Sequence, residues 1–107
     1  DGLPQYKLQQ VTDYIHAHLN LEIKLSDLAR TVGMSQYYFC RLFKQSTGMT
    51  PHQYLIRLRV ERAKQLLKQP HLAIADVALQ CGFSHQSHLS CHFRHLVGMS
   101  PKTFQQQ

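Results

Sequence analysis

Residues 33–51 read GMSQYYFCRLFKQSTGMTP, and residues 82–101 read GFSHQSHLSCHFRHLVGMSP. Each stretch opens on glycine, carries apolar side chains three and four residues apart, and closes on Gly-Met, a hydroxyl residue and proline. In the first, Phe39, Leu42 and Phe43 recur on one helical face until Gly48. In the second, Leu89 and Phe93 answer Phe39 and Phe43, and Gly98 answers Gly48, after one added residue in the turn or helix start. Ser35 suits the N-cap of the first helix. Thr50-Pro51 and Ser100-Pro101 each read as a cap followed by proline at the first helical position.

Working outward, a short apolar edge precedes each stretch. Ser26 stands ahead of DLARTV, where Leu28, Ala29 and Val32 share one edge and Gly33 suits a left-handed stop; Ile74, Val77, Ala78 and Gly82 repeat that pattern. Leu8, Val11, Ile15 and Leu19 predict a first helix over about residues 5–19, and HQYLIRLRVERAKQLLKQ predicts the longest helix, from Pro51 to about Lys68, ahead of Pro70. No segment alternates as a strand does, and the terminal QQQ reads as a frayed end. The expected fold is all-α, with two helix-turn-helix subdomains joined by a long central helix. Residues 1–107 form one domain, divided into a first lobe (5–49), a linker helix (50–69) and a second lobe (70–107).

The chain has 107 residues, which suits one compact unit or two very small ones sharing an element and excludes an enzyme of several layers. Hydrophobic residues are 43% and charged residues 17%, enough apolar content for a packed interior. Twelve Lys and Arg against six Asp and Glu give a net charge of +6, which favours a polyanionic partner, nucleic acid first and an anionic membrane second. No apolar run is long enough for a transmembrane helix, and a cytoplasmic location is the expectation. Cys40, Cys81 and Cys91 are odd in number and lie in helical segments, so they read as free thiols.

A short helix, a glycine-led turn and a second helix with one apolar and one polar stripe form the helix-turn-helix pattern, whose second helix lies in the major groove. At ~100° per residue, Phe39, Leu42 and Phe43 face inward, which leaves Tyr37, Arg41 and Lys44 opposite, with Gln36 and Cys40 at the margin. Arg41 suits guanine O6 and N7, Gln36 adenine or guanine, Tyr37 a thymine methyl or a sugar, and Lys44 a phosphate. In the second copy Leu89, Phe93 and Leu96 face inward, leaving Ser87, Cys91 and Arg94 outward and Gln86, His88 and Ser90 at the edges. Gln86 is the best base reader there, and Ser87 and Ser90 are weaker because a hydroxyl accepts several bases. On the linker helix Arg57 and Arg59, among the cations spread around its polar side, are expected to meet phosphate. The plainer alternative throughout is a solvated face, with Glu61 pairing to one of the linker cations. A rod about 27 Å long at ~1.5 Å per residue, with a reading head at each end, suits major-groove segments ~34 Å apart.

The doubled motif, the linker RLRVERAKQLL and the string IADVALQCGFSHQSHLSCHFRHLVGMSP resemble the DNA-binding domain of the AraC/XylS family of bacterial transcription regulators, over about Leu8 to Phe104. The resemblance implies a seven-helix, two-lobed fold that binds double-stranded promoter DNA and commonly contacts RNA polymerase. It implies a separate effector-binding and dimerisation domain, most often N-terminal, so the chain reads as a fragment of a longer regulator. It places base contacts at Tyr37, Cys40 and Arg41, and at Gln86, Ser87, Ser90 and Cys91, with Arg94 toward the backbone. Many relatives carry arginine where this chain has Cys91, which puts a guanine contact there in doubt.

Other classes fit less well. His85, His88, His92 and His95 step along one side of a helix, where at most two can chelate one ion, so no metal or other cofactor is expected. No phosphate loop, paired carboxylates or nucleophile–base set appears, which argues against an enzyme; Asp27 and Asp76 more simply favour helix N-termini. A membrane binder concentrates lysines opposite one broad apolar face, whereas these cations spread over three helices. The remaining rival is a helical protein-interaction module without specific DNA binding.

Overall fold

The computed structural model describes residues 1–107 and is helical throughout. Its elements are α1 (Gln5–Ala17), α2 (Leu25–Thr31), α3 (Gln36–Thr47), α4 (Pro51–Leu66), α5 (Ile74–Gln80), α6 (Gln86–Val97) and α7 (Pro101–Gln105). The chain divides into two compact units, Asp1–Leu55 and Ile56–Gln107. The first turn of α4 therefore belongs to the first unit and the rest of that helix to the second.

In the first unit α2 packs between α1 and α3. Val11, Ile15, Leu28, Ala29, Phe39, Leu42 and Phe43 are buried, the face that the three- and four-residue spacing predicts. Phe43 meets the Tyr54 ring edge-on, with centroids 5.4 Å apart. The Leu3 amide donates to Ser46 Oγ at 2.8 Å and Lys7 Nζ to the Val32 carbonyl at 3.3 Å, which fastens the amino-terminal segment to α3 and to the end of α2. In the second unit Ile56, Val60, Ala63 and Leu67 of α4 share one core with Val77, Ala78, Cys81, Phe83, Leu89 and Phe93. Phe93 meets Phe104 edge-on, again at 5.4 Å. The Gln105 side chain donates to the carbonyls of Gln69 and Leu72 and ties α7 to the segment before α5.

The short helices stop identically. Gly33 (φ 67°) donates to the Arg30 carbonyl and Met34 to that of Ala29; Gly82 (φ 90°) donates to Leu79 and Phe83 to Ala78. This paired 5→2 and 6→1 bonding satisfies the last carbonyls and needs a left-handed residue, which glycine supplies without a Cβ clash. Capping at the other ends differs in part from expectation. Ser35 Oγ accepts the Tyr38 amide as predicted. Thr50 and Gln53 cap reciprocally, the Thr50 hydroxyl accepting the Gln53 amide and the Gln53 carbonyl oxygen accepting the Thr50 amide. By contrast α2 begins at Leu25, so Ser26 lies inside the helix, and the capping position, Lys24, has no side-chain bond. Asp27 in the first turn favours that end electrostatically and pairs with Arg30 at 3.0 Å. Helix α4 ends two residues before the expected limit: the amides of Lys68 and Gln69 bond three residues back, to Gln65 and Leu66, and Pro70 disfavours further helix at Gln69.

Candidate nucleic-acid interface

Ser35 fixes the start of α3 and Phe39, Leu42 and Phe43 fix its inner face, so its outer face is determined by the chain's own period. Gln36, Tyr37, Arg41 and Lys44 are exposed there, Tyr37 at 79%. Arg41 does not project alone: its guanidinium carbon lies 5.4 Å from the centre of the Tyr38 ring. Tyr38 is 45% exposed and was not among the expected site residues, although its position three residues before Arg41 is the signal that finds it. A cation over an exposed tyrosine gains about 0.5–1 kcal/mol and holds the fork partly ordered before any ligand arrives.

Cys40 is half-buried and lines a hollow of about 180 Å³ with Leu28, Pro51 and Leu55, where burial pushes its thiol pKa up. It keeps its proton and stands at the inner margin of the α3 surface.

On α6, Gln86, Ser87, Cys91 and Arg94 are exposed and Ser90 is half-buried. The start of this helix is capped by His85, which sequence reasoning did not find because histidine is not a favoured capping residue. His85 Nδ1 accepts the His88 amide at 3.2 Å and lies 2.8 Å from Ser87 Oγ. His88 Nδ1 in turn lies 3.4 Å from the Ser84 amide and 3.2 Å from its hydroxyl. The rings of His88 and His92 flank Phe83, so these histidines belong to the turn and its packing. No three His, Cys, Asp or Glu side chains converge where they could hold a metal ion.

The two linker arginines separate. Arg57 is exposed and lies with Glu61, Lys64, Leu96 and Val97 around an open hollow of about 230 Å³; Glu61 pairs with Lys64 at 3.4 Å. Arg59 is only 7% exposed, which corrects the expectation that it faces phosphate. It stands three residues after Ile56 and four before Ala63, so the helical period turns it inward, and desolvation lowers its pKa against a smaller opposing effect of Cys81. Cys81 beside it is fully buried, which raises its thiol to about 11 despite Arg62 and Arg59. The charge is uneven: Asp1–Leu55 holds five Lys and Arg against four Asp and Glu, and Ile56–Gln107 seven against two.

A helix-turn-helix domain family model matches residues 28–107. The chain is 42% identical over 95 residues to a probable transcriptional regulator, LumQ, of Photobacterium leiognathi, covering 89% of this chain and 38% of that protein. It is 38% identical over 101 residues to the transcriptional regulator GbdR of Pseudomonas aeruginosa, covering 94% of this chain and 28% of that protein. The chain thus spans well under half the length of these relatives. Among solved structures, an AraC-type transcriptional regulator from Chromobacterium violaceum matches with a TM-score of 0.88 and 35% identity, over 96% of this chain and 92% of that one. The DNA-binding domain of the global transcriptional factor AdpA, solved with a target DNA, matches with a TM-score of 0.88 and 34% identity, over 94% and 90%.

Proposed function

Since the chain belongs to the AraC-type helix-turn-helix family of DNA-binding domains, we propose that α3 and α6 are its two base-reading helices and that it directs a longer regulator to promoter DNA. The observation that carries this reading is the outer face of α3: Arg41, ordered over Tyr38, beside exposed Gln36 and Tyr37, on a helix whose opposite face is buried. Arg41 takes guanine O6 and N7, Gln36 and Tyr37 read or pack beside it, and Cys40 contributes at the margin. In the second lobe Gln86 is the principal reader, with Ser87, Ser90 and Cys91 as weaker ones, because none of them offers a fork of donors.

Lys44, Arg57 and Arg94 hold the phosphate backbone, and the excess of cations in Ile56–Gln107, most of them on the linker-helix segment before Pro70, makes that unit the stronger source of non-specific grip. The domain acts in the cytoplasm as part of a regulator that carries an effector-binding and dimerisation domain and contacts RNA polymerase. That the regulator extends beyond this domain is supported by the greater length of LumQ and GbdR. No helix is long and apolar enough to cross a membrane.

Selection from a randomised duplex pool of about 25 base pairs, followed by salt titration of the winning sequence, tests the reading. The expected result is two short boxes about one helical turn (~34 Å) apart and affinity falling steeply with salt. A single box would withdraw base reading from α6, and a pool with no enriched sequence would withdraw it from both helices.

A further inference from the structure

We propose that His85 is a specificity-determining residue that acts through Ser87: its imidazole fixes the polarity of the Ser87 hydroxyl, so that this position selects base edges that donate a hydrogen bond. The inference rests on the reading of α6 as a base-contacting helix and goes beyond it by naming which edge Ser87 takes.

A free serine hydroxyl donates one hydrogen bond and accepts two, and so suits any base. Ser87 is not free, because its Oγ lies 2.8 Å from His85 Nδ1. The same nitrogen accepts the backbone amide of His88 at 3.2 Å, the bond that caps α6. An amide can only donate, so Nδ1 carries its lone pair and the ring proton sits on Nε2. The close contact with Ser87 is then O–H donating to Nδ1, and the serine proton is committed to the protein. What Ser87 Oγ presents to a groove is its lone pairs alone. In the major groove adenine N6 and cytosine N4 donate, whereas guanine O6 and N7 and thymine O4 accept. Adenine and cytosine are therefore the bases that Ser87 favours.

The imidazole is held in this role from behind. His88 Nδ1 meets the amide and hydroxyl of Ser84, and the His85 and His88 rings lie 5.8 Å apart, which ties the turn before His85 to the first turn of the helix. The first lobe has no such device: Ser35 accepts the Tyr38 amide and makes no bond to a side chain of the reading face.

Site selection from a randomised duplex pool, run in parallel for the wild type, His85→Gly, His85→Asn and Ser87→Ala, tests the coupling. Glycine is well tolerated at an N-cap and removes the acceptor, while asparagine places an oxygen where Nδ1 stood. The expected wild-type result is adenine or cytosine at one position of the second box. His85→Gly should reduce that preference about fivefold or more, with guanine and thymine gaining and the other positions unchanged; His85→Asn should retain it, and Ser87→Ala should lose it. If Ser87→Ala loses the preference and His85→Gly keeps it, the coupling is wrong while Ser87 remains a base reader. An even weakening at every position with His85→Gly would reduce His85 to a helix cap and overturn the proposal. No change with Ser87→Ala would show that Ser87 does not read a base, and the proposal would fall with that reading.

Discussion

The two lobes follow the same path and present different chemistry along it. Both short helices end on a glycine at positive φ with the same pair of carbonyl bonds, and both long helices seat a phenylalanine edge-on against an aromatic ring 5.4 Å away. Outside that frame the resemblance stops. The first unit is nearly balanced in charge and its α3 carries an arginine over a tyrosine, whereas the second unit is strongly basic, through cations mostly before Pro70, and its α6 offers hydroxyls, a thiol and an amide. Backbone termination and core packing have few solutions and are repeated. An outward side chain is bound by neither requirement, so discrimination and grip can be divided between the copies.

The severest test of the shared frame is at the core. Phe43→Ala and Phe93→Ala remove equivalent anchors between α3 or α6 and their neighbours, both fully buried, and each is expected to cost about 3–5 kcal/mol in urea unfolding followed by circular dichroism. A cost below about 1 kcal/mol for either would end the equivalence of the lobes.

Alkaline pH separates them next. Cys81 in the second lobe stands where the first has buried Val32, and its thiol is raised from 9.0 to about 11 by burial. Above pH 9 the unfolded chain releases this proton while the folded chain keeps it, so stability falls as pH rises and the loss is complete above about 11. The expected loss is about 2–3 kcal/mol, and Cys81→Val should abolish it in paired denaturation curves at pH 8 and 11.

Removing one cation from each lobe sharpens the division of labour. Arg41→Ala is expected to relax one base position and weaken specific binding by about 1–3 kcal/mol. Arg94→Ala should weaken all sequences alike and lower the salt slope by about one. Both are read from competition binding with single-base variants across a salt series. If Arg94→Ala altered base preference, the second lobe would be a stronger reader than its surface suggests.

The smallest effect concerns the caps. Ser35→Ala is expected to cost about 1 kcal/mol and Ser35→Gly a few tenths, seen as unequal shifts in thermal midpoint. Equal shifts would remove the Ser35–Tyr38 bond from the account of α3.

The sequence by itself determined the helical class, the doubled helix-turn-helix, the left-handed stop at Gly33 and its repeat at Gly82, the helix ends at Gly48 and Gly98, and the inward faces built on Phe39, Phe43, Leu89 and Phe93. Those features depend on residues within about four positions of one another, and periodicity, glycine and capping serine record them directly. Only the tertiary structure decided that Arg59 is buried while Arg57 is exposed, that Cys40 sits at the rim of a hollow, that Arg41 lies over Tyr38, and that an imidazole caps α6. Two arginines two residues apart look alike in a list. What separates them is a core whose members Val77, Leu89 and Phe93 join α4 from well over ten residues further along, and no local pattern shows which face of a helix such partners will cover.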